Sequence, residues 1–109
     1  MAYDEKLAQR VRDNLQNNPG YSERKMFGGV GFMLNGNMAC GVNGDNLIVR
    51  VGKENYEQAL HAPHVKEFDI TGRPMSGWVS VLPEGINSNE ALTDWIRQGL
   101  VFTLTLPPK

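Results

Sequence analysis

One cysteine, Cys40, is all the sulfhydryl chemistry this chain has, so no intrachain disulfide can form and a reducing compartment suits it. Two histidines, His61 and His64, are thin material for a metal site. Neither sign of charge is in excess: 11 Lys and Arg against 12 Asp and Glu leave a net charge of −1. That balance argues against direct nucleic-acid binding driven by electrostatics. No apolar run is long enough to span a bilayer, and Met1-Ala2-Tyr3-Asp4-Glu5 lacks the basic and apolar segments of a signal peptide. The expected location is therefore the cytoplasm. Repeats, low-complexity tracts and linkers are absent too, and 109 residues with 40% hydrophobic content fit one domain, 1–109, around one core.

What is present centres on residues 25–51, which read as a three-stranded meander. Asn35-Gly36, between two apolar runs, supplies the positive-φ pair that a two-residue hairpin turn requires. Asn43-Gly44-Asp45 repeats the signal and can close as Asn43-Gly44 or as Gly44-Asp45. An uninterrupted ladder from Asn35-Gly36 pairs Leu34 with Asn37, Met33 with Met38, Phe32 with Ala39, Gly31 with Cys40, Val30 with Gly41 and Gly29 with Val42. Alternation then puts Phe27, Met33, Met38, Cys40, Val42, Leu47, Val49 and Val51 on a core face, with Gly29 and Gly31 making room among them. The opposite, mixed face carries Val30, Phe32, Leu34, Asn37, Ala39, Gly41, Ile48 and Arg50. A contiguous apolar cluster on a small domain marks an interface. Val30, Phe32, Leu34, Ala39, Ile48 and Arg50 are accordingly the candidate contact surface, expected to join two copies in a two-fold dimer.

Around the meander, residues 4–18 form a helix with Leu7, Val11 and Leu15 on one side and Asp4 as its cap. A short helix follows Gly52 with Tyr56, Ala59 and Leu60 inward, and Pro63 ends it. Phe68 and Ile70 alternate as a strand, 71–74 turn, and Trp78 to Leu82 form the next strand. Asn87 with Glu90 makes an Asx variant of the capping box for a last helix reaching about Thr105. The order αβββαββα predicts an α+β, two-layer fold, an antiparallel sheet with helices on one face.

The candidates for chemistry are few. Gly29-x-Gly31 is followed by a strand and a turn rather than a helix, which excludes a dinucleotide fingerprint. Gly29-Val30-Gly31-Phe32-Met33 lacks two of the three stacking aromatics of an RNA-binding strand. Cys40 lies on the expected core face with no local group to lower its pKa. Pro63 breaks any helical alignment of His61 with His64. No catalytic residue, cofactor or metal is therefore assigned. Arg24, Lys25, Arg50, Lys53 and Arg73 are the main cations. Arg24, Lys25, Arg73 and Trp78 are the candidate contacts for an anion or a partner.

One longer pattern resembles a known family. Arg24-Lys25-Met26-Phe27-Gly28-Gly29-Val30-Gly31-Phe32, then Asn35-Gly36-Asn37-Met38 and the strand Leu47 to Val51, are similar to the N-terminal domain of the TfoX/Sxy family. Gly72-Arg73-Pro74-Met75, Leu82-Pro83-Glu84 and Trp95-Ile96-Arg97 fit the same pattern. The resemblance implies a two-layer α/β domain with an antiparallel sheet. It also implies a link to transcriptional control of DNA uptake (competence), where family members act with a cyclic-AMP receptor-type activator. Those regulators carry a second, C-terminal helical domain, whereas this sequence stops after one. The expected function is a non-enzymatic regulatory or protein-interaction module, whose partners are a second copy and a transcription factor or another regulatory protein. The alternative is a binder of a small anionic ligand or metabolite.

Overall fold

Helix α1 (Glu5–Leu15) starts where a carboxylate can hold it: Asp4 accepts from the backbone N–H of Lys6 at 2.9 Å and of Leu7 at 3.2 Å. Leu7, Val11 and Leu15 form its buried stripe, with Ala8 beside them. Its last turn is closed by Asn18, which donates to the Leu15 carbonyl at 3.0 Å. The chain then runs through β1 (Tyr21–Met26), β2 (Gly29–Leu34), β3 (Asn37–Asn43) and β4 (Asn46–Arg50). Next come α2 (Tyr56–Leu60), β5 (Val65–Asp69), β6 (Pro74–Val81), a 3-10 turn (Pro83–Gly85) and α3 (Asn89–Thr103). This computed structural model describes residues 3–26, 28–69 and 74–108. Phe68 of the expected Phe68–Ile70 strand lies in β5, whereas Ile70, the 71–73 part of the following turn (Arg73 included) and Phe27 lie outside the described residues.

The six strands make one antiparallel sheet in the order β1-β2-β3-β4-β6-β5. The expected α+β class and two-layer arrangement hold, and β1 adds a strand that the meander alone did not include. Buried residues of α1, α2 and α3 join Val30, Phe32, Cys40, Val42, Leu47, Val49, Val51, Val79 and Val81 in one core. Helix α3 caps on Ser88, which accepts from Ala91 N–H at 3.0 Å, so the cap falls one residue after the expected Asn87. The helix ends at Thr103, close to the expected Thr105.

The meander's two turns form as expected, but its register does not. Asn35 and Gly36 take φ of 54° and 83°, and the second hairpin closes on Gly44-Asp45, since Asn43 pairs with Asn46. Leu34–Asn37 and Met33–Met38 pair as expected. The ladder then slips: Phe32 faces Cys40, Gly31 faces Gly41 and Val30 faces Val42, which leaves Ala39 as the extra residue of a β-bulge. A one-residue slip exchanges the faces of everything beyond it. Val30 and Phe32 therefore join Cys40 and Val42 under the helices, while Gly29, Gly31 and Met33 alternate to the other side. Phe32, fully buried, is the largest side chain of the core. The expectation that Gly29 and Gly31 lie in the helix-covered core is thus corrected.

The glycines still serve packing, on the far side of the sheet. A Cβ at Gly29 would stand 2.2 Å from the Val42 carbonyl oxygen, and one at Gly41 would stand 2.8 Å from that of Val30. Gly99 does the same for the helix layer: its Cβ would meet the Ala39 carbonyl oxygen at 2.6 Å, so α3 lies close against the sheet at the bulge.

Candidate functional site

The candidate contact surface is not a surface. Val30, Leu34, Ala39 and Ile48 are buried along with Phe32, and only Arg50 of that set is partly exposed. The slip at Ala39 moved Val30 and Phe32 beneath α1 and α3. Ile48 stays on the far face, where Met38, Gly41, Phe68, Met75 and Trp78 surround it in a small apolar pocket. A dimer built on an exposed Phe32 is excluded by this burial.

The motif that carries the family resemblance occupies the β1–β2 hairpin. Arg24, Lys25 and Met26 end β1, Gly28 takes φ of 74° in the turn, and Gly29, Val30 and Gly31 open β2. Arg24 and Lys25 are exposed on this outer strand. Trp78 lies in β6, with β2, β3 and β4 between it and β1. The four candidate anion contacts thus do not form one site: Arg24 and Lys25 sit on one strand, Trp78 on another, and Arg73 is outside the described residues.

Trp78 instead belongs to a cleft of about 770 Å³ between the ends of β4 and β6 and the second half of α3. Cross-strand pairing sets Arg50 opposite Trp78, and its guanidinium carbon lies 5.2 Å from the Trp78 ring centre. Phe102 of α3 approaches the same guanidinium at 5.5 Å. A cation between two aromatic faces is held electrostatically by both ring quadrupoles. The floor is bare backbone. Gly52 and Gly77 take φ of 87° and 92°, and the Val51 and Gly52 N–H groups both donate to the Gly77 carbonyl, at 2.9 and 3.1 Å. A Cβ on Gly52 would stand 2.5 Å from the Phe102 ring, so only glycine lets the ring lie there. Phe102, Gly52 and Gly77 were not among the expected site residues. The sequence offered one hint, isolated glycines at the end of one strand pattern and inside another.

Half-buried arginines elsewhere have acceptors. Arg10 donates to the Ile86 carbonyl at 2.9 Å and to Asn89 Oδ1 at 3.2 Å. Arg12 grips Glu23 with Nε at 2.6 Å and Nη2 at 2.9 Å, and Tyr21 donates to the same carboxylate. The Arg12 hydrogen bonds hold the Glu23 carboxyl below its ordinary pKa; burial first, and then the Glu23 carboxylate, push the Tyr21 phenol up. Arg50 has no hydrogen-bond acceptor or ion-pair partner among the described residues.

Cys40 is fully buried, and burial pushes its thiol up to about 12, so the thiolate is scarce at neutral pH. His61 and His64 are both exposed. Among the described residues no three His, Cys, Asp or Glu side chains come together as a metal site would need. No described helix is long and apolar enough to cross a membrane.

The fold and the cleft define a class: a small α+β domain whose antiparallel sheet is covered by three helices on one face, with an arginine-centred cleft at one end. The family follows from the sequence match. Residues 13–102 match the model of the TfoX N-terminal domain, and the chain belongs to that family. No curated protein matches the chain.

Proposed function

We propose that this protein is a non-enzymatic regulatory module of the cytoplasm that acts by contacting another protein in the transcriptional control of DNA uptake. The observation that carries this reading is the family match over residues 13–102, which takes in every described strand, α2, the end of α1 and all of α3 but Thr103. The buried, protonated Cys40 is in keeping with a module that performs no nucleophilic chemistry. The net charge of −1 favours a transcription factor or another regulatory protein over DNA itself as the partner. The contact we infer is the end of α3, where Val101 and Leu104, 60% and 58% exposed, stand one turn apart.

The test is genetic and biochemical together. Deleting the gene in its native host should change the transcript levels of DNA-uptake genes. Wild type should restore them and Leu104→Glu should not, although the variant, altered only at an exposed site, stays folded. Unchanged transcripts on deletion would remove the regulatory reading.

A further inference from the structure

We propose that the cleft at Arg50 binds a small organic anion, a carboxylate or phosphate carried on a flat apolar body, with the Arg50 guanidinium taking the charged head. This site adjoins the protein contact inferred at the end of α3: Val101 belongs to both, whereas Leu104, the residue that tests that contact, does not line the cleft.

Four observations converge. First, Arg50 is partly withdrawn from water yet has no acceptor among the described residues, whereas half-buried Arg10 and Arg12 are both satisfied. Withdrawing hydrogen-bonding groups from water without partners is unfavourable, and an incoming anion would supply those partners. Second, the rings of Trp78 and Phe102 take up space around the guanidinium while consuming none of its N–H donors. Those donors keep the planar fork geometry that matches a carboxylate or phosphate. Third, the cleft's charge suits an anion. Arg97 is already beside Asp94 at 3.8 Å, which leaves Arg50 and Lys53 against Glu54 alone. Fourth, about 770 Å³ lies within the usual span of small-molecule sites, and Val51, Val101 and the two rings give the body of a ligand apolar contact. The glycine floor keeps these walls apart: a side chain at Gly52 would occupy the place of the Phe102 ring.

Titration by two-dimensional NMR or calorimetry tests the proposal with matched probes. Indole-3-acetate and phenyl phosphate should bind saturably, and indole-3-acetamide, which keeps the ring and loses the charge, at least about tenfold more weakly. Arg50→Gln should weaken both anions at least about tenfold. Arg50→Lys should also weaken them, because it keeps the charge and loses the fork. Ser76→Glu, at an exposed position of the cleft, adds a repelling charge without touching the Arg50 stack and should act in the same direction. Arg24→Gln, on the far strand, should change nothing. Equal binding of the acid and its amide, no saturable binding, or anion affinity unaffected by both Arg50→Gln and Ser76→Glu would overturn the proposal. So would much tighter binding of the tripeptide Gly-Gly-Trp with a free C-terminal carboxylate, because the anion would then belong to a protein terminus.

Discussion

Arg12 and Arg50 are both half-buried, one on a helix and one on a strand, and meet different ends. Arg12, on α1, reaches β1 and closes on Glu23 with two short hydrogen bonds, reinforced by Gln9 and Tyr21. Arg50, on β4, reaches toward α3 and finds two aromatic rings but no anion. The first is a finished structural contact that fastens a helix to an outer strand. The second is a cation positioned as carefully and left open toward a cleft. Where one chain satisfies one arginine and not another, the unsatisfied one marks the place to look for a ligand.

The comparison rests on the register of the meander, so the largest expected effect lies there. Phe32→Ala should lower stability by about 3–5 kcal/mol, because it empties the centre of the helix-covered core. Chemical denaturation measures it. A near-neutral result would return Phe32 to an exposed face and undo the placement of both arginines. Gly41→Ala should destabilise by about 1–3 kcal/mol, since the new Cβ meets the Val30 carbonyl as well as the more yielding Met38 methyl. A stable Gly41→Ala protein would show that the strands can part at little expense.

The two arginines can then be compared directly. Arg12→Gln should lose about 1–2 kcal/mol, a charged hydrogen-bond pair discounted for its partial exposure. Arg50→Gln should lose less than about 1 kcal/mol, because only ring contacts disappear. Denaturation of both under one buffer condition checks the order, and a reversed order would make Arg50 a structural clamp. The smallest effect is in pH. Glu23 has its pKa lowered in the folded protein, so its contribution is present at neutral pH and fades as pH falls through the folded value. Wild type and Glu23→Gln should therefore differ at pH 7 and converge in acid, while Arg50→Gln should show no such convergence.

Much of this architecture was legible in the residues. The stripe Leu7, Val11, Leu15, the Asp4 cap and the Asn35-Gly36 turn each carry a local physical signal, and each appears where expected. The bulge at Ala39 was not legible. From Met38 to Val42 every residue is apolar or glycine, and the nearest polar side chain on that strand, Asn37, is itself buried, so it did not mark the outer face. That single slip is why Val30, Phe32, Leu34 and Ala39 were expected outside and are found inside. The cap of α3 was missed by one residue because Asn87 and Ser88 are adjacent and equally able to cap. Half of the cleft was within reach: Arg50 and Trp78 were singled out, but separately. Their meeting depends on β4 pairing with β6, and Phe102 comes to them from α3, a helix that Gly99 lets lie close against the sheet backbone. Such long-range placements leave no trace in local periodicity.

The central claim, that the Arg50 end of the molecule is an open site while the Arg12 end is closed structure, is tested most directly by one titration. Backbone, indole and arginine Nε–H signals of the labelled protein would be followed as indole-3-acetate is added. Saturable shifts confined to Gly52, Gly77, the Trp78 indole and the Arg50 side chain, with Arg12, Glu23 and Arg24 unmoved, are the predicted result. Shifts centred on the β1 strand, or none that saturate, would contradict it.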